Sequence, residues 1–264
     1  MSRIITLTTD FGTLDGYVAS MKGVILSIAA DCQIADITHD VEPQNIRQAA
    51  ILLAIAAPYF PPETIHVAVV DPGVGTDRAI LAVQAGGQIY IAPDNGLLSV
   101  IFERNPEPVV HKIENRTLFL PKVSRTFHGR DIMAPVAAHL SQGIALEEVG
   151  PRFGSYTSGL FPHPNVVGGA IRGQIIYRDH FGNLFTNISR DDLQRLDLAS
   201  LQVRAGYTKI ERLSQSYSDV EKGELLCLLG SGGYLEIALR EGSAADKLRF
   251  PLGTEVEITG AAQK

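Results

Sequence analysis

Asp71 and Arg78 are the residues from which the chemistry of this chain can first be read. They lie in the stretch VAVVDPGVGTDR, residues 67–78, where an apolar run from Ile65 to Val70 stops at Asp71-Pro72-Gly73-Val74-Gly75-Thr76. Such a run reads as a buried strand breaking into a tight turn with exposed backbone amides. Pro72 fixes its own φ and restricts Asp71 to an extended conformation. Gly73 and Gly75 let the chain turn, or let a ligand come close to backbone. A carboxylate at the end of a strand stands where open α/β sheets place their sites. Arg78 follows close enough to fold back toward it. The bland alternative is that DPG is only a turn.

Asp10 repeats the pattern at the end of a first strand, Ile4 to Thr9. A carboxylate there can accept both hydroxyl hydrogens of a ribose diol, or simply cap the next helix. Asp15 reads as a helix N-terminal residue favoured by the dipole. His128, in TFHGRD at 126–131, sits in a glycine-flanked loop before a helix. It can be a base, an orienting group or a surface loop residue. The remaining histidines form no HExxH and pair with no cysteine at metal spacing. His39, Asp40 and Glu42 make a weak metal cluster that reads better as a polar turn. Asp179-His180-Phe181-Gly182-Asn183 joins two strand-like runs and has the composition of a hairpin turn. Its functional reading gives Phe181 an adenine-sized stacking face and makes Asp179 and Asn183 polar contacts. Ser231-Gly232-Gly233-Tyr234-Leu235-Glu236 is equally ambiguous. Glu236 alternates into a strand interior, where a carboxylate needs a partner, and a cationic ligand would be one. No GxGxxG follows a first strand and no GxxxxGK[ST] occurs, so ordinary dinucleotide and P-loop sites are not signalled.

The elements that must position these residues divide the chain in two. Leu14, Val18, Met21, Ile25 and Ile28 recur at helical spacing after the first strand, and Met21 is expected in the core. Ile34 to Ile37 is a short strand. A helix over 43–57 is expected, with Pro43 at its start and Pro58, Pro61 and Pro62 at its end. Ile80 to Val83 and Ile89 to Ile91 flank a hairpin turn at Gly86-Gly87. Leu97 to Phe102 begins another helix, Val109 to Ile113 is a strand, and Ile132, Val136 and Leu140 mark a helix. Strand and helix alternate, which predicts an α/β domain over 1–150 with a mostly parallel sheet and helices on both faces. Glycines and prolines punctuate 151–166, read as a linker. After it come only short β-like runs: 169–177, 184–188, 202–203, 207–210, 225–229, 234–239 and 255–258. A smaller all-β domain over 167–264, an antiparallel barrel or sandwich, is the expectation.

Composition narrows the class. Of 264 residues, 45% are hydrophobic and 20% charged, which favours a folded core over disorder. The net charge of -6 and the lack of a Lys/Arg cluster make nucleic acid a poor partner. Cys32 and Cys227 read as buried free thiols in a reducing compartment. No signal peptide stands out, and the greasiest stretch, Ala49 to Ala57, is too short to span a bilayer. A soluble cytoplasmic protein without nucleic-acid or membrane partners is the expectation.

Six stretches together resemble the S-adenosylmethionine hydroxide adenosyltransferase family, which is related to the fluorinase and chlorinase. They are TDFGTLDGYVASMKGVI at 9–25, DPGVGTDR at 71–78, APDNGLLS at 92–99, TFHGRDIMAPVAAHL at 126–140, YRDHFGNLFTNI at 177–188 and GSGGYLEIALREGSAA at 230–245. They occur in family order over almost the whole chain. The resemblance implies an N-terminal α/β domain, a C-terminal β-barrel-like domain and a homotrimer with sites between subunits. It implies S-adenosyl-L-methionine as substrate, adenosine and L-methionine as products, and neither cofactor nor metal. Asp71, Arg78 and His128 fall on the water-activating positions, and Asp10 on the ribose-binding one. Asp179, Asn183, Ser231 and Glu236 fall near methionine or nucleoside contacts, Phe181 on a base-stacking position, and Ala238 near a backbone contact to adenine. Which group accepts the water proton stays open. Halide-dependent adenosyl transfer is one alternative, although the halogenating relatives carry Tyr at the position of Asp71 and a small residue near that of His128, and have an extra loop. A non-enzymatic S-adenosylmethionine or adenosine sensor and a general methyltransferase are the others.

Overall fold

The computed structural model describes residues 3–194, 196–197, 200–210 and 213–261. The chain divides into two compact units, Met1–Phe161 and Pro162–Lys264. The punctuated stretch 151–166 is thus shared between them.

The first unit holds a six-stranded sheet: β1 Ile4–Thr9, β2 Gln33–Thr38, β3 Ile65–Val69, β4 Ile80–Ala85, β5 Gln88–Pro93 and β6 Val109–Lys112, in the order β2-β1-β3-β5-β4-β6. β2, β1, β3 and β5 run parallel, and β4 runs against both of its neighbours. Gly86 and Gly87 close the two-residue hairpin between β4 and β5 with φ of 56° and 78°. Two successive left-handed residues give the turn whose twist matches paired strands, and glycine adopts them at little cost.

Helices α1 Tyr17–Ile28, α2 Ile46–Ala56, α3 Ser99–Arg104 and α4 Ala134–Ser141 flank the sheet. Val18, Met21 and Ile25 of α1 and Val136, Ala137 and Leu140 of α4 share one core cluster with Ile5, Leu7, Val67 and Val69. Because strand side chains alternate, these residues occupy one face. Each large apolar side chain buried this way contributes about 1.5–3 kcal/mol. On the other face His66 bonds Thr6 Oγ1 through Nδ1 at 2.7 Å and stacks on Tyr90, with Phe60, just past α2, against its edge.

Two helix starts differ from the sequence expectation. α2 begins at Ile46, not Pro43, because Gln44 is left-handed at φ 65° and no α-helix passes through it. Asn45 Oδ1 instead accepts from Gln48 N at 3.0 Å and caps the helix. α1 begins at Tyr17, and Leu14 is 97% exposed, so its helical spacing was coincidental.

The second unit is a nearly closed, barrel-like sheet. Its strands are β7 Asn165–Val167, β8 Ala170–Arg178, β9 Leu184–Ser189, β10 Gln202–Ala205, β11 Thr208–Ile210, β12 Leu213–Ser214, β13 Leu225–Leu229, β14 Tyr234–Leu239 and β15 Glu255–Thr259. The path runs β11-β10-β15-β8-β9-β14-β13-β12, with β7 added beside β8. Inward residues such as Ile175, Ile188, Val203, Ile237 and Ile258 form its core. Each expected β-like run is a strand, while β7 and β12 were too short to carry a signal. Among the described residues no helix is long and apolar enough to cross a membrane, and no group of three His, Cys, Asp or Glu could hold a metal ion.

Candidate active site

β1 and β3 are parallel neighbours with Thr9 opposite Val69, so Asp10 and Asp71 emerge side by side from one edge of the sheet. Past β3 the chain turns as its composition requires. Val74 N bonds Asp71 O, Thr76 N bonds Gly73 O, and Asn95 Nδ2 holds Val70 O at 2.8 Å. Gly75 has φ 82°, and a Cβ there would lie 2.6 Å from the Arg125 carbonyl oxygen. Only glycine admits that approach, which brings the 67–78 stretch against the loop that carries His128.

Arg78 folds back onto Asp71. Its Nε donates to Oδ1 at 2.7 Å and Oδ2 at 2.8 Å, and its Nη2 also contacts Oδ2. The two side chains are 9% and 5% exposed, so water screens the pair weakly. Arg78 Nη2 also lies 3.0 Å from His128 Nδ1. A guanidinium has only donors, so Nδ1 accepts, and the neutral ring carries its proton on Nε2. Burial, then the charge of Arg78, holds the imidazole below its ordinary range, against the pull of Asp71 and Asp131.

Asp131, three residues on, is fully buried and ties together the loop that carries His128. Ser124 N donates to Asp131 Oδ2 at 2.8 Å and Arg130 Nε to Oδ1 at 2.6 Å. The helix that follows opens with a π segment, Gly129–Met133, before α4. Such wide turns recur at functional sites. Gly129 lies so close to Val69 that a Cβ would sit 3.2 Å from its side chain.

A cleft of about 390 Å³ opens over this edge, lined by Asp10, Asp71, His128 and the rings of Phe11, Tyr17 and Phe127, among others. The three rings meet one another at 5.4–5.8 Å between centroids. Asp10 Oδ2 accepts from Gln44 N at 2.8 Å. Asp10 is therefore tied to the loop before α2 and does not cap α1.

The second unit gathers another set. The 179–183 segment is the hairpin turn between β8 and β9: Asn183 N donates to Asp179 Oδ1 at 2.7 Å, and Asn183 Nδ2 to Oδ2 at 2.9 Å. Phe181 stands on it 75% exposed. Glu236 is 3% exposed in β14, as its alternation predicts. Tyr217 donates its hydroxyl to Glu236 Oε2 at 3.1 Å. A Cβ on Gly230 would fall 1.3 Å from Glu236 Oε1, so glycine makes the space the carboxylate occupies. Burial raises the Glu236 carboxyl above its ordinary range, and the charge of Asp179 adds to the rise. Tyr217 is pushed up to about 12 by burial and by Glu236. Ser231 is exposed in the turn before β14, and Ala238 is fully buried, backbone included, opposite Leu226 of β13.

Asp71, Arg78 and His128 thus form one bonded cluster beside Asp10, and Asp179, Asn183 and Glu236 form another group in their own unit. His39, Asp40 and Glu42 form no metal site: His39 bonds Thr9 Oγ1 and faces Asp36. Phe11, Tyr17, Gln44, Asp131 and Tyr217 were not anticipated. Phe11, Tyr17 and Asp131 lie within quoted motifs and could have been read as supports, whereas Tyr217 and Gln44 act through tertiary contacts alone.

A cleft at the strand ends of an α/β sheet, followed by a barrel-like unit, defines the class. The chain belongs to the SAM hydroxide adenosyltransferase family: the family's N-terminal domain matches residues 5–150 and its C-terminal domain residues 173–257. It is 37% identical over 258 residues to a Salinispora tropica protein named (R)-S-adenosyl-L-methionine hydrolase, covering 97% of each chain. A fluorinase of an Actinoplanes species is 29% identical, covering 98% of each. A solved structure described as an uncharacterized conserved protein from Thermotoga maritima superposes with a TM-score of 0.90 at 41% identity, over 97% of this chain and 99% of that one.

Proposed function

We propose that this chain hydrolyses S-adenosyl-L-methionine to adenosine and L-methionine. The observation that carries the reading is that Asp71 and His128, joined through Arg78, share one cleft with Asp10, in a chain whose relatives include a named hydrolase of this substrate. The sulfonium is already a good leaving group. A water oxygen attacks ribose C5′ opposite sulfur, the C5′–O bond forms, and the C5′–S bond breaks with its electron pair passing to sulfur. Methionine leaves as a neutral thioether, and one proton is released. What the protein must supply is placement and charge. Good placement can contribute about 7–11 kcal/mol in ideal cases.

Each residue has a part that its bonding allows. Asp71 accepts a hydrogen bond from the attacking water and aims its lone pair. Arg78 fixes Asp71 and presents positive charge to the developing hydroxide. His128, neutral and with Nδ1 held by Arg78, keeps the guanidinium in place. Asp10, with one oxygen on Gln44 N, offers the other to the ribose diol. Asp179, Asn183, Ser231 and Glu236 are assigned to the amino-acid or nucleoside end, with Phe181 stacking on adenine and backbone at Ala238 beside it. The reading includes a homotrimer in the cytoplasm, checked by a solution mass three times that of the chain.

The experiment is to incubate protein and substrate with chloride in water and separate the products. Adenosine and methionine are expected. 5′-Chloro-5′-deoxyadenosine would assign the chain to halide transfer, which a carboxylate beside the nucleophile disfavours by repulsion. Intact substrate would leave only a sensor, and S-adenosylhomocysteine would indicate a methyltransferase. Repeating the assay on a mixture of sulfur epimers should consume the (R) form that the relative's name specifies.

A further inference from the structure

The Asp71–Arg78–His128 cluster is a partition between two clefts of the first unit. Asp71 and His128 line the first, assigned above to substrate. The second, of about 460 Å³, is lined by Arg78 and His128 with Thr76, Lys112, Glu114 and Arg116, among others. His128 belongs to both walls. The two clefts differ in character. The first carries the three packed rings of Phe11, Tyr17 and Phe127 beside its two carboxylates, while the second, above a floor that includes Ile80 and Phe119, carries five charged side chains, Asp77, Arg78, Lys112, Glu114 and Arg116, that can hold water.

Hydrolysis has two needs that a filled substrate cleft does not meet. It consumes a water, and it must dispose of the proton that water loses. A cleft of the first one's size would be largely filled by a nucleoside sulfonium. The cluster itself is a poor carrier for the proton. Both oxygens of Asp71 are bonded to Arg78, and the Nδ1 lone pair of His128 is occupied by the same guanidinium.

We propose that the second cleft is the aqueous channel of this reaction, supplying the attacking water and taking up its proton, with His128 and Arg78 as the wall between channel and substrate. The inference rests on the hydrolase reading. The balance is complete: water enters, its oxygen bonds C5′, the C5′–S electron pair leaves with methionine, and the proton passes to bulk water through the channel.

A reversible plug tests it. Lys112 is on the channel wall with its side chain 35% exposed, paired with surface Glu114 at 2.6 Å. Lys112→Cys is made in a Cys32→Ser background and modified with a bulky disulfide-forming reagent. Cys227 is fully buried, and burial pushes its thiol up to about 12, so it does not compete. The plug should slow single-turnover adenosine formation by about tenfold or more, a barrier increase of about 1.4 kcal/mol. It should leave the substrate dissociation constant unchanged, enlarge the solvent deuterium isotope effect, and be reversed by a reducing agent. Arg116→Cys, treated alike, serves if Lys112→Cys folds poorly. An unchanged rate in fully modified protein overturns the proposal. So does weakened substrate binding in parallel, which would make the second cleft part of the substrate site, and so does slowing without a larger isotope effect, which would mark simple distortion. Failure of the wild-type protein to form adenosine would instead sink the hydrolase reading, and the channel with it.

Discussion

At the end of β3 a buried carboxylate is matched by a guanidinium, whereas around β14 two carboxylates, Asp179 and Glu236, gather with no salt bridge among the described residues. Arg78 bonds both oxygens of Asp71 and reaches His128 as well, so the groups of that cluster satisfy one another. Glu236 has a hydroxyl donor in Tyr217, Asp179 has the amides of Asn183, and among the described residues neither has a salt bridge. Pre-paired charge needs no reorganisation when a reaction starts, which suits a group that acts on bond making. A buried carboxylate without a cation, as Glu236 is, gains most when one arrives, which suits binding. The two regions should therefore respond differently to substitution, in turnover on one side and in affinity on the other.

The largest effect is expected at the paired cluster. Asp71→Asn keeps the shape but removes the charge that holds Arg78, and should lower turnover by about 10²–10³-fold with substrate affinity little changed. Single-turnover adenosine formation beside a separate binding measurement checks this. A large loss of affinity instead would erase the distinction between the regions.

His128→Ala should cost less, about 10–100-fold, because the ring holds Arg78 and does not take the proton; a loss nearer 10⁴-fold would show that it handles the proton itself. The pH profile sharpens the point. Since the folded imidazole titrates below its ordinary value of about 6.5, the neutral ring persists below that pH. Wild-type turnover should fall only as the pH drops through this lowered value, where protonation removes the acceptor for Arg78. The unfolded chain takes up its proton at higher pH, so this residue's share of stability is full above about 6.5 and shrinks as the pH falls toward the folded value. A His128→Ala profile with the same acid limb would assign that limb elsewhere.

On the unpaired side, Glu236→Gln should weaken substrate binding by about 1.5–3 kcal/mol, the range for a charged hydrogen bond, and leave the chemical step nearly intact. Its effect on stability should have the opposite sign. The folded carboxyl is raised, so folding disfavours its ionised form, and at neutral pH the amide should melt higher than wild type. A lower melting temperature would mean that the negative charge is matched after all. Phe181→Ala should be the smallest, about 1 kcal/mol of affinity at the low end of base stacking because the ring is exposed. Unchanged affinity for adenosine and substrate would remove it from the site.

The paired cluster was legible where its cause is local. An apolar run ending in DPGVG announces a strand and a turn, and the position of Arg78 permits the fold-back that the structure contains. The burial of Glu236 followed from alternation along β14 in the same way. What the sequence could not announce depends on tertiary partners. The left-handed Gln44, which delays α2, gives its N–H to Asp10 from the loop before that helix. The π segment at Gly129–Met133 has no periodic signature. The tautomer of His128 is set by Arg78, fifty residues away in sequence. Tyr217 was passed over because nothing in its neighbourhood indicates that it bonds Glu236.

The most direct measurement is a single turnover in ¹⁸O-water with the adenosine analysed for label. Water positioned by Asp71 and Arg78 and attacking C5′ in line places ¹⁸O in the adenosine 5′-hydroxyl and leaves methionine unlabelled. Adenosine that forms without the label would contradict attack by solvent water at C5′, and with it the role assigned to the cluster.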